Sequence, residues 1–335
     1  MHVRWIFVLL VLLVALPVSA QDGETLTVYS GRNEALIAPL LAAFTEATGI
    51  EVEVLYGDTA ALANQILEEG ANSPADVFIS QDAGALGALA KEEALTPLPE
   101  EITDLVPEAL RSPDGVWVGV SGRARVLVYN PALVEELGLE LPESILDLTD
   151  PAYNGLVGWA PANASFQASV TAMRVLLGDE AAEAWLADMV ANGAVSFGSS
   201  NTNLNRAVAS GEIPMGITNH YYMFGILAQD PEASIAQHFF PAGDPGSLIN
   251  VAGAGILATS DQVEDGEQLV AYLLSPVAQQ YFTTQTYEYP VIEGVIVNPR
   301  LTPLETIEPP AIDLSDLDDL QTTLALIEAS GALDN

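Results

Sequence analysis

Residues 26–57, LTVYSGRNEALIAPLLAAFTEATGIEVEVLYG, carry the pattern of a strand, a helix and a second strand in direct succession. Both ends are rich in β-branched and aromatic residues, whereas the apolar residues between them recur at helical spacing, as at Ile37 and Leu41. Pro39 is compatible with a helix only near its first turn, so the helix should begin close to Asn33. Such a unit is typical of an α/β sheet with largely parallel strands.

The same alternation continues along the chain. The helical pattern TAALANQILEEG is followed by the strand pattern ADVFIS and by a further helical pattern, DAGALGALAKEEAL. We expect the chain to leave a first lobe within VWVGVSGRARVLVYNP and to return to it along SLINVAGAGILATS. The predicted division is an N-terminal lobe of residues 21–121 and 250–300, a C-terminal lobe of residues 122–249, and a linker and helix, residues 301–335, that pack on the C-terminal lobe.

The first twenty residues, MHVRWIFVLLVLLVALPVSA, combine an arginine, a short apolar run and a small-x-small end. This pattern predicts a secretory signal peptide, residues 1–20, with cleavage before Gln21 and a periplasmic or secreted product. The apolar run is shorter than the roughly 20 residues that span a bilayer, and no later run reaches that length. We therefore expect no membrane insertion after cleavage.

The charge of the chain argues against several classes of function. The sequence has 46 acidic residues against 9 lysines and arginines, a formal charge of −37, and loss of the signal peptide with its arginine leaves 8 against 46, or −38. Such a surface repels phosphate backbones and anionic lipids, so we expect neither nucleic acid nor a membrane surface as partner. The lack of cysteine excludes disulfides and thiolate metal sites.

Signatures of enzymes are scarce. His220 and His238 are the only histidines after the signal peptide, and the sequence has no HExxH, GxSxG, SxxK or Walker motif. We therefore expect a protein that is not an enzyme. A secreted carbohydrate hydrolase with two catalytic carboxylates stays an alternative, since no pair stands out among the 46 acidic residues.

The stretch ITNHYYMFG places Tyr221 and Tyr222 side by side after a predicted strand. Adjacent side chains on a strand point to opposite faces, so the pair should lie on a turn or at the start of a helix. Two phenols suit a hard trivalent cation such as Fe³⁺, which must displace protons that free tyrosine loses only near pH ~10. Ordinary half-buried aromatics and a sugar-stacking surface are the alternatives.

Several stretches together resemble the periplasmic ferric-iron-binding proteins of ABC importers. They are VYSGRNE, ADVFISQDAGALGAL, VSGRARVLVYNP, APANASFQ, NTNLNRAVASGEIPMGITNHYY and SPVAQQYFTTQTYEYPV, which run through nearly the whole chain after the signal peptide. The resemblance implies an α/β fold of the periplasmic binding protein type II, with two lobes, a hinge and an interlobe cleft. It also implies a monomer that captures Fe³⁺ with a synergistic anion and delivers it to a membrane permease served by a separate ATPase.

The resemblance also implies which residues form the site. The adjacent tyrosines of that family bind the metal, which corresponds to Tyr221 and Tyr222 here, and some branches add a third tyrosine, here Tyr129. The anion is carbonate or phosphate, and helix N-termini and arginine forks are suitable donors for it. Its pocket is implied at the N–H groups of residues 164–166 and at the side chains of Arg32, Arg123, Ser165, Asn201 and Asn219.

Three positions depart from the pattern of that family. Asn33 and Gln81 stand where its members have a histidine and a glutamate ligand, and neutral amides bind a trivalent ion more weakly. Glu34 stands where one branch has a tyrosine ligand, so it could supply an oxygen. We expect His220 to make local hydrogen bonds. The expected ligands are three tyrosines with one or two carbonates or water, and a same-fold binding protein for a polyamine, thiamine or a phosphonate is the alternative.

Overall fold

The computed structural model describes residues 25–333. The predicted signal peptide, residues 1–20, lies outside them. Within the described residues the chain forms nine strands and twelve α-helices. No helix in this part of the chain is both long enough and apolar enough to cross a membrane.

The elements are numbered in chain order. The strands are β1 (Leu26–Ser30), β2 (Val52–Tyr56), β3 (Val77–Ser80), β4 (Val118–Tyr129), β5 (Val157–Trp159), β6 (Val195–Ser196), β7 (Met215–Asn219), β8 (Ala236–His238) and β9 (Ile249–Ile256). The α-helices are α1 (Glu34–Thr48), α2 (Thr59–Glu69), α3 (Ala83–Lys91), α4 (Glu100–Thr103), α5 (Pro131–Leu137), α6 (Ala164–Leu177), α7 (Asp179–Ala191), α8 (Asn201–Ser210), α9 (Tyr221–Gln229), α10 (Val263–Leu273), α11 (Pro276–Gln285) and α12 (Leu320–Ala329).

The strands follow the order β2-β1-β3-β9-β4-β7-β5-β6, with β8 paired to β4 outside this path. In the first half of the sheet, β1 is parallel to β2 and β3, and in the second half β5 is parallel to β6 and β7. Between them β9 runs antiparallel to both β3 and β4. The sheet therefore consists of two parallel halves joined through the antiparallel strands β4 and β9.

Strand β4 belongs to both halves of the sheet. Its residues 118–124 pair with β9, whereas its residues 125–129 pair with β7. The chain leaves the first half along β4 and returns along β9. The predicted lobe boundaries, after residue 121 and before residue 250, fall inside these two strands and stay a prediction.

Each half of the chain has its own apolar core. In the first half, Phe44 and Phe282 are fully buried against the sheet. In the second half, the ring centroid of Trp159 lies 5.5 Å from that of Phe166 and 6.4 Å from that of Trp185. Each such pair of rings stabilises the fold by roughly 0.5–1.5 kcal/mol beyond the effect of the buried area. Because Phe166 lies in the first turn of α6, the aromatic cluster fixes where that helix begins.

Local signals in the sequence set the bounds of α1. The Asn33 side chain caps its start by accepting a hydrogen bond from Ala35 N at 3.0 Å, and Gly49 ends it in the left-handed conformation with φ 81°. The predicted start near Asn33 is confirmed. Pro39 lies inside the helix, where it removes the N–H that would bond to the Ala35 carbonyl.

The C-terminal segment contacts both halves of the chain. The 3₁₀ turn Leu314–Asp318 packs against α3, where Lys91 Nζ lies 3.2 Å from an Asp318 carboxylate oxygen. Helix α12 packs against α6 and α7, and Arg174 donates to the carbonyl and carboxylate oxygens of Asp319 at 2.9 and 2.8 Å. The predicted packing on the C-terminal lobe therefore describes only part of what this segment contacts.

Candidate functional site

The tyrosine pair lies where a buried strand gives way to a helix. Strand β7 ends at Asn219, and α9 begins at Tyr221. The rings of Tyr221 and Tyr222 lie 4.4 Å apart between centroids, at an interplanar angle of 34°. The expected helix start is confirmed, and the change from strand to helix is what lets the two rings lie side by side.

Tyr221 contacts the first half of the chain. Its hydroxyl accepts a hydrogen bond from Gln81 Nε2 at 3.0 Å, and Asn219 Nδ2 lies 3.5 Å from the same oxygen. Since Gln81 follows β3, this bond connects the two halves of the sheet. Burial raises the pKa of Tyr222 well above its ordinary value, and the neighbouring Tyr221 raises it further. The Tyr222 phenol is therefore protonated at neutral pH.

A cleft of about 890 Å³ lies beside the pair, within the size range of small-molecule sites. Its lining comes from both halves of the chain. The oxygen-bearing and charged side chains in that lining include Arg32, Asn33, Glu34, Tyr56, Asp58, Gln81, Asn201 and Tyr222.

Three parallel strands of the first half end at this cleft. Glu34 lies just after β1, Tyr56 ends β2 and Gln81 follows β3, which agrees with the rule that ligands bind at the carboxyl ends of such strands. Glycine is required after β1, because a Cβ atom at Gly31 would lie only 2.1 Å from Thr59 Oγ1. The close approach brings the start of α2 against the end of β1.

Two arginines on β4 are buried without a carboxylate partner. Arg123 and Arg125 are 1% and 2% exposed and, being two residues apart on a strand, lie on the same face of the sheet. Arg123 Nη2 donates to Val251 O at 3.0 Å, and Arg125 Nη1 donates to Asn219 Oδ1 at 3.1 Å.

The remaining donors of these two arginines have no partner. Among residues 25–333, neither guanidinium forms an ion pair, and two nitrogen atoms of each lack a hydrogen bond. Burial lowers the pKa of Arg125 to about 10. A buried cation with free donors is unfavourable unless an anion binds to it, so Arg123 and Arg125 indicate an anion site.

Arg32 is also buried, but its charge is balanced. Its two terminal nitrogens donate to the two carboxylate oxygens of Glu288 at 2.9 and 2.7 Å, and Nη1 also donates to Ser121 Oγ at 3.2 Å. Burial acts to lower the pKa of Arg32, but the Glu288 carboxylate outweighs it and holds that pKa above the ordinary value. The structure thus separates Arg32, a member of an ion pair, from Arg123 and Arg125.

Two of the predicted anion-binding side chains are buried with unsatisfied polar atoms. Ser165 is 3% exposed and Asn201 is 2% exposed; within the described residues the Ser165 hydroxyl has no hydrogen-bond partner, and the Asn201 amide lies beside the Tyr222 phenol. The expected backbone donors are already used in part, because the N–H groups of Ser165 and Phe166 bond to the side-chain and backbone oxygens of Asn163. Side chains rather than N–H groups therefore provide the free donors here.

The family model of the bacterial extracellular solute-binding proteins matches residues 29–280. The chain belongs to this family. Its relatives include an Fe(3+)-binding periplasmic protein of Serratia marcescens, 31% identical over 314 residues, which covers 93% of this chain and 92% of the relative. The major ferric iron-binding protein of Neisseria meningitidis is 32% identical over 316 residues, with 91% and 92% covered.

A solved structure agrees with these relatives. Iron-bound HitA from Pseudomonas aeruginosa superimposes with a TM-score of 0.86 at 35% sequence identity, covering 92% of this chain and 99% of HitA. The predicted periplasmic-binding-protein fold is confirmed, and so is the resemblance to the ferric-iron-binding members of the family.

In this solute-binding protein, Tyr129 lies away from the tyrosine pair, Tyr221 and Tyr222. Tyr129 pairs with Met215 at one end of β7, whereas Arg125 pairs with Asn219 at the other end. The two ends are about 13 Å apart at the usual rise of a strand. The Tyr129 side chain packs against the core of the second half, so its position gives no support to the predicted role as a metal ligand.

The side chain of Asn33 is occupied as a helix cap. Replacing Asn33 with alanine should lower the free energy of unfolding by about 1 kcal/mol, because α1 loses the acceptor for Ala35 N. Urea unfolding followed by tryptophan fluorescence measures this change. The Asn33→Asp variant keeps a capping oxygen and serves as control; an equal loss in Asn33→Asp would show that the cap is not the cause.

His220 is held by two backbone groups. Its Nδ1 accepts a hydrogen bond from Ala124 N at 3.1 Å, so Nε2 carries the proton of a neutral ring and donates to Tyr287 O at 2.8 Å. Burial lowers the pKa of His220 to about 4. Both ring nitrogens are engaged, which agrees with the expected local role.

Two residues of the site were absent from the sequence-based prediction. Arg125 shares a strand face with Arg123, a signal that the alternation in GRAR already contains. Tyr56 ends a parallel strand and lines the cleft, but an isolated tyrosine carries no motif. Among residues 25–333, no group of three or more His, Cys, Asp or Glu side chains is arranged to hold a metal ion.

Proposed function

We propose that this protein captures Fe³⁺ together with an oxyanion, carbonate or phosphate, in the cleft beside Tyr221 and Tyr222. The observation that carries the proposal is a pair of adjacent phenols near two buried arginines with free donors. Phenolates suit a hard cation, and guanidinium forks suit an oxyanion. The names of the similar proteins from Serratia marcescens and Neisseria meningitidis support ferric iron as the cation.

The metal binds by displacing protons from the phenols. Because burial holds the pKa of Tyr222 well above its ordinary value, this phenol is protonated in the metal-free protein. Each tyrosine that becomes a ligand releases one proton, so binding weakens as the pH falls and protons compete with the metal. The Gln81 amide, which donates to Tyr221, can stabilise the phenolate oxygen once it forms.

The oxyanion binds at Arg123 and Arg125, with Ser165, Asn201 and Asn219 around it. Arg125 donates to Asn219 Oδ1 at 3.1 Å, and Asn219 Nδ2 lies 3.5 Å from the Tyr221 hydroxyl oxygen. An anion bound there therefore lies near the phenols. Arg32 enters this proposal as the buried partner of Glu288 and not as the main anion donor.

Membership of the solute-binding family and the two strands that join the halves, β4 and β9, support a role in transport. We propose that the two halves close on the ion through β4 and β9 and that the closed monomer docks on the permease of an ABC importer, whose separate ATPase drives transport. The protein would act after export and removal of residues 1–20, in the periplasm, as the names of its relatives suggest. It would carry out no catalysis of its own.

The visible absorbance of the iron-loaded protein tests the proposal. Metal-free protein that receives Fe³⁺ with bicarbonate or phosphate at neutral pH should develop a visible tyrosinate-to-iron charge-transfer band and release protons to the solution. Protein that receives Fe³⁺ without either oxyanion should bind it more weakly in competition with a chelator. If no band forms at any neutral pH with either oxyanion, the ferric proposal is wrong.

A further inference from the structure

The first half of the chain presents its own oxygen side chains to the cleft. Glu34 lies in the first turn of α1, Tyr56 ends β2, and Asp58 precedes α2. All three line the same cleft as Tyr222, which belongs to the second half. In residues 25–333, no hydrogen-bond or ion-pair partner binds the side chain of Glu34, Tyr56 or Asp58.

Tyr56 is held by the sheet on one side and faces the cleft on the other. It pairs in parallel register with Ser30, the last residue of β1, and its ring packs partly buried against the core of the first half. Glu34, in the first turn of α1, lines the same cleft as Tyr56, at the edge where β1, β2 and β3 end.

The amides of this edge are already engaged. Asn33 caps α1, and Gln81 donates its Nε2 to Tyr221. Gln81 is 5% exposed, lines the cleft, and its Oε1 has no partner within the described residues. A buried unsatisfied acceptor at this position indicates that the cleft contains a ligand when the protein is loaded.

We propose that Tyr56 is the metal ligand contributed by the first half of the chain, as a third phenolate facing Tyr221 and Tyr222. This inference rests on the proposed capture of Fe³⁺. Three phenolates match the charge of the ferric ion, and a phenol is a harder and more basic oxygen ligand than a neutral amide.

If each half of the chain contributes a metal ligand, iron binding is coupled to closure of the cleft. With Tyr221 and Tyr222 alone, the ion would be held by the second half and the Gln81 bond would be the contact across the cleft. With Tyr56, the metal itself links β2 to α9, so bound iron stabilises the closed form in addition to the Gln81–Tyr221 hydrogen bond. Loss of Tyr56 should therefore weaken both iron binding and the closure that depends on it.

The test compares Tyr56→Phe with the unaltered protein. The variant keeps the ring that packs on the core but loses the phenol oxygen. We expect the ferric charge-transfer band to shift in wavelength and to lose about one third of its intensity, and the affinity in chelator competition to fall about 100-fold. Small-angle X-ray scattering should show a smaller decrease in radius of gyration on iron addition. Tyr272→Phe, on α10 away from the cleft lining, is the matched control and should behave as the unaltered protein.

The outcomes separate this inference from the ferric proposal. If Tyr56→Phe keeps the full band and affinity while Tyr221→Phe with Tyr222→Phe loses them, Tyr56 is not a ligand and the ferric proposal stands. If Asp58→Asn causes the loss and Tyr56→Phe does not, the ligand of the first half is the carboxylate and the inference is overturned. If the unaltered protein forms no band, the ferric proposal fails, and the inference fails with it.

Discussion

Replacing both Tyr221 and Tyr222 with phenylalanine should abolish the ferric charge-transfer band and weaken Fe³⁺ binding about 10⁴- to 10⁶-fold. The magnitude follows from structural metal sites, where ~10–16 kcal/mol of apparent binding free energy is shared by four ligands, so two lost ligands remove roughly half of it. The band is lost because it arises from electron transfer from phenolate to iron. Visible absorbance and competition with a chelator of known affinity measure the two effects.

The double replacement of Tyr221 and Tyr222 with phenylalanine should disturb the fold little. Phenylalanine keeps both rings, which lie 4.4 Å apart between centroids, and removes only the hydroxyl groups. The Gln81 amide loses its acceptor on Tyr221, so a decrease in unfolding free energy of about 1 kcal/mol is expected. Tyr272→Phe again serves as control. A double variant that still turns coloured with iron would exclude Tyr221 and Tyr222 as ligands.

Local features of this chain could be predicted from the sequence because their causes are local. Asn33 and Gly49 bound α1 through capping chemistry that involves only neighbouring residues. The place of Tyr221 at a helix start followed from the alternation of side chains along a strand. The α/β class followed from the succession of strand and helix patterns, which depends on hydrophobic periodicity rather than on any single contact, whereas the two-lobed fold followed from the resemblance to a known family.

Long-range geometry could not be predicted in the same way. Which end of β4 lies at the cleft depends on its antiparallel register with β7, and that register places Tyr129 far from Asn219. The balance of charge on Arg32 depends on Glu288, which is 256 residues away in sequence. Sequence patterns identify an arginine near the site more readily than the carboxylate that neutralises it, so the roles of Arg32 and Arg123 became distinct only in the folded chain.

The Arg32–Glu288 pair gives the largest stability effect that we expect. Both side chains are completely buried, and Glu288 also accepts hydrogen bonds from Ser121 Oγ at 2.9 Å and Thr286 Oγ1 at 2.8 Å. Replacing Glu288 with glutamine leaves the Arg32 charge buried without a counter-ion, which should lower the free energy of unfolding by about 3–5 kcal/mol. Urea unfolding at pH 7, followed by the fluorescence of the buried tryptophans, measures this loss.

An exposed ion pair provides the control. Arg111 lies 3.0 Å from Asp104, whose side chain is 72% exposed, so Asp104→Asn should change the unfolding free energy by about 1 kcal/mol or less. Replacing Arg32 and Glu288 together with leucine should recover most of the stability that Glu288→Gln loses, because no charge then stays buried. The comparison separates the cost of an unpaired charge from the cost of altered packing.

At low pH, the unaltered protein and the Glu288→Gln variant should have the same free energy of unfolding. Burial acts to raise the pKa of Glu288, but the Arg32 guanidinium outweighs it and holds that pKa below the ordinary value of 4.5. The stabilisation by the carboxylate is therefore fully present above pH 4.5 and is lost as the pH falls through the folded-state pKa. Unfolding free energies measured from pH 7 downward should converge in that range, since protonated Glu288 leaves Arg32 as unpaired as glutamine does. If the two proteins differ by less than 1 kcal/mol at pH 7, or by the same amount at every pH, the Glu288 charge does not stabilise the fold.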